Sequence, residues 1–219
     1  MAVSAEARAT ARAVLRRYGR TFAEELGIDV ARNTPSPLFR LLCFALLSST
    51  RIGHALALRA ARALADNGWT TPRRILEATW AERTRVLNRA GYARYDESTS
   101  RMLGDTSTLL LDRYGGDLRR LREQAGRDVP TERRLLTEFK GIGDVGADIF
   151  FREVQVAWGE VFAFVDARAG KAAGKLRLPR DANELRALVR GRREFTRLVT
   201  GLVRVELEKG YEGVRGAVA

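Results

Sequence analysis

Apolar residues along this chain recur at three- and four-residue intervals, the period of helices with one buried face, and strands of alternating Val, Ile and Thr are nearly absent. Val14, Tyr18, Phe22 and Leu26 follow one another at a steady spacing of four, as along a single helical stripe. Leu38 to Leu47, Ala55 to Ala65 and Ser98 to Tyr114 read as helices, the last stopped by Gly115-Gly116. Pro72, close behind Thr70-Thr71, suits a first helical position, and Leu185 to Leu207 predicts one or two further helices. Asn67-Gly68, Ala90-Gly91, Val129-Pro130 and Gly141-Ile142-Gly143 punctuate the series. With no repeat or low-complexity tract, the pattern predicts an all-α fold built from short helices.

One interruption has chemical content. Across Leu135 to Asp148 the helical pattern is broken by Gly141 and Gly143, one residue apart. Glycine takes positive φ without steric cost, so Gly-Ile-Gly can turn one helix sharply into the next. The second helix then offers its unpaired first-turn N–H groups and the positive end of its dipole to the outside, where a phosphate fits. Such a contact reads the nucleic-acid backbone and not the bases. A plain connection between two helices is the alternative for a glycine turn of this kind.

Phe139-Lys140-Gly141-Ile142-Gly143-Asp144-Val145-Gly146-Ala147 resembles the helix-hairpin-helix of the endonuclease III/AlkA superfamily of DNA glycosylases, whose usual form is Leu/Phe-Pro-Gly-Val/Ile-Gly-x-x-Thr/Ser-Ala. Three further segments resemble that superfamily in the same order. Leu41 to Arg51 is similar to its apolar helix ending in Leu-Leu-Ser-x-Gln, and Gly91 to Asp96 to its Gly-aromatic turn before a long helix. Val161 to Arg168 is similar to the segment carrying its essential aspartate, which falls on Asp166, 23 residues past Gly143. The likeness spans about Leu38 to about Leu178.

The resemblance implies two helical subdomains with a cleft between them. Residues 32–157 would form the central one, ending in the helix-hairpin-helix at 131–157. Residues 1–31 would pack with 158–219 into the second, which carries the aspartate. The implied activity is base-excision repair: hydrolysis of the N-glycosidic bond of a damaged or mismatched base in double-stranded DNA. Breaking that bond develops positive charge on the sugar, which a carboxylate such as Asp166 stabilises while orienting water. Asp is equally a favoured N-cap, so Asp166 can serve the helix that follows it. Bifunctional relatives carry a Schiff-base lysine two residues past the second hairpin glycine. Val145 stands there, so the expectation is a monofunctional enzyme without strand cleavage.

By the same resemblance the backbone contacts are Lys140, Gly141, Ile142, Gly143, Val145 and Gly146, with Arg51, Arg94 and Arg168 at the rim. The base pocket is expected among Ser48, Thr50, His54, Tyr92 and Tyr95. An aromatic face can stack on an extruded base; each tyrosine can instead be core, and His54 a surface residue. Asp144 brings negative charge to the phosphate side of the turn and Gly146 lacks the usual hydroxyl. Both departures favour the competing reading, a non-catalytic helix-hairpin-helix DNA-binding protein that has lost turnover. Trp69, Trp80 and Trp158 sit among apolar neighbours and read as core.

Composition narrows the partner. The chain of 219 residues carries 39 Lys and Arg against 27 Asp and Glu, a net charge of +12, and all but Lys140, Lys171, Lys175 and Lys209 of its cations are arginine. That balance suits a polyanion bound through salt-sensitive phosphate contacts, although arginine also solvates helix faces. Hydrophobic content of 45% supports a packed core. No apolar run approaches the ~18 residues of a membrane span. The arginine-spaced first twenty residues do not read as a secretory signal. A monomeric, cytoplasmic, nucleoid-associated protein without a membrane partner is expected. The single cysteine, Cys43, lies in the apolar run and cannot build the four-cysteine iron–sulfur loop of many relatives. No metal or cofactor is expected beyond a monovalent cation that relatives can hold on hairpin carbonyls.

Overall fold

A computed structural model of the chain describes residues 4–50 and 52–218. In chain order the helices are α1 (Ala5–Tyr18), α2 (Phe22–Glu25), α3 (Pro35–Ser48), α4 (His54–Asp66), α5 (Pro72–Glu77), α6 (Trp80–Arg89) and α7 (Asp96–Tyr114). They continue as α8 (Leu118–Gln124), α9 (Val129–Leu136), α10 (Asp144–Val154), α11 (Ala167–Lys175), α12 (Ala182–Arg186), α13 (Gly191–Glu208) and α14 (Tyr211–Arg215). The described residues contain no strand, and the fold is all-α. No helix among them is long and apolar enough to cross a membrane. The chain divides into two compact units, residues 26–150 and residues 1–25 with 151–219, the division falling within α10.

In the unit of residues 26–150, α3 is the centre. Leu38, Phe39 and every residue from Leu41 to Leu47 are buried, which is why the sequence shows an unbroken apolar run there instead of a stripe. Against α3 pack α4 and α8, while α7 holds α5, α6 and α8. Cys43 is 4% exposed within this core, and burial pushes its thiol up to about 12. The capping signals act as the sequence suggests. Thr71 caps α5 with Pro72 at the first turn, Thr79 and Glu82 form a capping box on α6, and Gly115 ends α7 in the left-handed conformation. Of the three tryptophans only Trp158 is fully buried. Trp80 is 40% exposed, its indole N–H donating to the Glu97 carbonyl oxygen and the Arg101 guanidinium lying over its ring.

In the other unit, α13 packs on α1, α11 and α12, and α1 packs on α14. Gly201 permits the close crossing of α13 and α1. A Cβ there would meet Val14 Cγ1 at 2.9 Å and the Tyr18 carbonyl oxygen at 3.2 Å. The stripe Val14-Tyr18-Phe22-Leu26 does not lie on one helix. α1 ends at Gly19, and Thr21 with Glu24 starts α2: the Thr21 hydroxyl accepts from the Glu24 N–H at 3.0 Å and the Glu24 carboxylate from the Thr21 N–H at 3.1 Å. This reciprocal cap outweighs the apolar periodicity. Glu153, 1% exposed, completes it by accepting from the N–H groups of Phe22 and Ala23 at 2.8 and 2.7 Å. Burial raises the Glu153 carboxyl against those two hydrogen bonds, which oppose the rise.

Candidate nucleic-acid interface

The hairpin is built by α9, a turn over residues 137–143 and α10. Asp128 caps α9 by accepting from the Thr131 N–H at 3.0 Å, with Pro130 in the first turn. Phe139 and Ile142, 1% and 3% exposed, anchor the turn in the core, and the Ile142 N–H donates to the Phe139 carbonyl oxygen at 2.9 Å. Gly141 sits at φ +90°, a conformation that favours glycine, beneath Met102, whose Sδ would lie 2.8 Å from a Cβ at that position and would have to shift. Gly143 is different. Its φ is not positive, and nothing among the described residues lies within 4 Å of where its Cβ would be. From there the chain enters α10, the Ala147 N–H donating to the Gly143 carbonyl oxygen at 2.9 Å.

The N–H groups of Asp144, Val145 and Gly146, ahead of that bond, have no carbonyl one turn earlier in the helix to accept them. Lys140 and Val145 are exposed beside them, Val145 at 56%. Three acidic residues of the hairpin, Glu138, Asp144 and Asp148, lie beside arginines. Arg133 on α9 pairs with Asp148 and lies 3.7 Å from the Asp144 carboxylate, whose side chain is 90% exposed. Glu138 pairs with Arg113 and Arg134. Gly146 has a packing reason: a Cβ there would lie 2.7 Å from Ser49 Oγ and 3.2 Å from Ile142 Cγ2. The Ser49 hydroxyl, donating to the Ala45 carbonyl oxygen at 2.7 Å, fills the space that a threonine or serine side chain at 146 would take.

The end of α3 thus meets the first turn of α10, and some of the expected pocket residues gather there. Thr50 Oγ1 and the Tyr92 hydroxyl are 2.8 Å apart, and the latter donates to the Leu47 carbonyl oxygen at 2.8 Å. Ser48 Oγ is buried without a hydrogen-bond partner among the described residues. Tyr92, only 1% exposed, offers no open face for stacking; it is a core residue, and burial raises its phenol above the usual range. Tyr95, half-buried, meets the Tyr92 ring edge-on at 6.5 Å between centroids and carries the exposed Arg94 over its own ring at 5.3 Å. His54 is the half-buried first residue of α4. Arg51 lies outside the described residues.

Asp166 and Arg168 belong to the other unit. Asp166 is the N-cap of α11: Oδ1 accepts from the backbone N–H groups of Arg168 and Ala169 at 2.9 and 3.1 Å. Oδ2 accepts from Arg152 Nε at 2.6 Å, and the Asp166 and Arg152 side chains are 3% and 5% exposed. Each oxygen therefore has a committed donor. The Arg168 side chain is exposed. Two residues that site reasoning from the sequence did not single out build this arrangement. Arg152 supplies the counter-ion. Gln155 clamps the segment leading to Asp166, its Oε1 accepting from the Phe164 N–H at 2.9 Å and its Nε2 donating to the Phe164 carbonyl oxygen at 3.1 Å. The signal that could have found them was polar residues inside the apolar stretch from Ile149 to Val156. No group of three or more His, Cys, Asp and Glu placed to hold a metal occurs among the described residues.

The sequence matches no protein-family model and no curated relative. Among solved structures the chain is similar to an endonuclease III trapped as a covalent intermediate with DNA in an estranged-adenine complex. The identity is 20% and the TM-score 0.49, over 77% of this chain and 73% of that one.

Proposed function

We propose that the protein binds double-stranded DNA through the hairpin at residues 139–147, as a helix-hairpin-helix protein in which Asp166 serves structure. The observation that carries the binding role is Gly143. Neither backbone conformation nor packing calls for glycine there, yet it stands immediately before α10, where an added Cβ would meet open space beside the unpaired N–H groups that begin a helix. A missing side chain at such a place lets another backbone approach closely. The excess of arginine supplies the sequence-independent attraction. Gly143→Asp should weaken binding to all duplex sequences alike. Equal affinity of variant and wild type in fluorescence anisotropy at low and moderate salt would refute the hairpin contact.

A second reading, a monofunctional glycosylase hydrolysing the bond to a damaged or mismatched base, is favoured by the place of Asp166. It begins a helix 23 residues past Gly143, as the resemblance implies for the catalytic carboxylate. Its obstacle is the Arg152 pair, which neutralises the carboxylate and occupies the oxygen left over from capping. Single-turnover excision over a panel of damaged and mismatched duplexes separates the two. Base release lost in Asp166→Asn supports the enzyme, whereas DNA binding without release of any base supports the binding protein. In either reading the chain acts as a cytoplasmic monomer and needs no cofactor beyond a monovalent cation on the hairpin carbonyls.

A further inference from the structure

We infer that the corner between α12 and α13 is a second DNA-backbone contact, formed by Arg186 and Arg192 on the ring of Phe162; the ligand class rests on the DNA-binding reading above. From Arg186 to Arg193 the sequence holds four arginines, with Arg190 and Arg192 between, and no carboxylate. All four side chains are exposed. Phe162 is half-buried and seated edge-on against the fully buried Phe195, 5.3 Å between centroids, which fixes its ring as a platform. The guanidinium carbons of Arg186 and Arg192 lie 5.1 and 5.6 Å from that ring's centre. They are therefore no farther apart than the sum of those distances, about 11 Å. Neither has a carboxylate partner among the described residues. The neighbouring Arg193 and Arg197, by contrast, both reach Glu24.

Stability does not account for this clustering. Two like charges share one aromatic ring, where each gains from the ring but repels the other. Arg190 and Arg192 also stand at the start of α13, where the dipole disfavours cations and Glu194 is the acidic residue of the first turn. An anion resolves both costs. Guanidiniums held over a ring, with no carboxylate to accept their N–H groups, can offer phosphate the planar fork that matches it bidentately. A duplex, with one charge per ~1.7 Å of axis, presents several phosphates to a pair so spaced.

The test is the salt dependence of binding to a duplex of about 25 base pairs by wild type, Arg186→Gln/Arg192→Gln and Gly143→Asp. Losing two phosphate contacts should lower the slope of log affinity against log salt by about 1.8. Across a fourfold rise in salt the double variant should then lose about tenfold less affinity than wild type. Thermal unfolding should be unchanged, since both side chains are exposed. An unchanged slope in the double variant beside weakened binding in Gly143→Asp overturns this inference and leaves the hairpin reading standing. A lowered slope with Gly143→Asp indistinguishable from wild type supports the corner and overturns the hairpin. No binding by wild type at about 50 mM salt, where phosphate contacts are strong, overturns both.

Discussion

The Arg152–Asp166 pair is buried, and its energetics follow from three hydrogen bonds to the carboxylate. In Asp166→Asn the side-chain oxygen can still accept from the Arg168 and Ala169 N–H groups, because asparagine is as good a cap as aspartate. The Arg152 guanidinium, 5% exposed, loses its counter-ion. Leaving one buried charge of a pair uncompensated costs about 3–5 kcal/mol. Asp166→Ala should cost about 1 kcal/mol more, the cap lost as well. Arg152→Met leaves a carboxylate still held by two N–H donors and the positive end of α11, so about 3 kcal/mol, the low end of that range, is expected. In Arg152→Met/Asp166→Asn no buried charge remains, and the double variant should be less destabilised than either single one. Urea unfolding followed by circular dichroism, with slopes compared as well as midpoints, reads these values. Single costs below about 1 kcal/mol that simply add in the double variant would refute a buried, mutually dependent pair. The same series controls the excision assay. If loss of base release in Asp166→Asn only follows loss of stability, Arg152→Met must lose it equally.

Three further outcomes follow from the packing and titration of individual groups. Gly146→Thr, which restores the residue usual at this position in the resembled motif, should cost about 1–3 kcal/mol because its Cβ collides with Ser49 Oγ. Combining it with Ser49→Ala should recover part of that loss in thermal unfolding, and no recovery would mean that Ser49 does not set the limit. Cys43, whose thiol burial holds at about 12, should resist Ellman's reagent at mildly alkaline pH in the folded protein and react fully in urea; fast labelling of the native chain contradicts this. Glu206 hydrogen-bonds Lys175 and Tyr211, with Lys171 also near, and these hold its carboxyl at about 2, below the ordinary 4.5. Because the folded value is the lower one, this stabilisation is complete above about 4.5 and disappears as pH falls towards 2. Glu206→Gln should therefore flatten the stability curve between those values, and a curve parallel to wild type would show that the network contributes nothing.

Most helices were legible because local signals agreed. The apolar run to Leu47 behind a proline entry, the Thr-Pro entry to α5 and the glycine stop after α7 each join an apolar pattern to an end signal. The stripe through Val14 and Phe22 misleads because a spacing of four survives a bend: Gly19 and the Thr21–Glu24 cap stop one helix and start another. Trp80 reads as core from its neighbours, but it opens α6 at a surface where its indole N–H finds a carbonyl. The surroundings of Asp166 were not legible. Its counter-ion lies 14 residues earlier on a different helix, and only the tertiary fold decides whether Arg152 faces solvent or a carboxylate.

The two hairpin glycines show where sequence and structure divide the work. In the sequence Gly141 and Gly143 are equivalent members of one motif. In three dimensions the first answers to the fold: a side chain there would be strained by the positive φ and would have to displace the Met102 sulfur, so a substitution there tests stability. The second answers to nothing in the described chain, since an added Cβ has ordinary backbone geometry and open space around it. A residue change that the fold tolerates and a ligand does not is the cleanest probe of binding. Gly143 therefore separates function from folding at this turn, and an effect of Gly143→Asp on DNA affinity at unchanged thermal stability would report contact with the phosphate backbone and not a damaged hairpin.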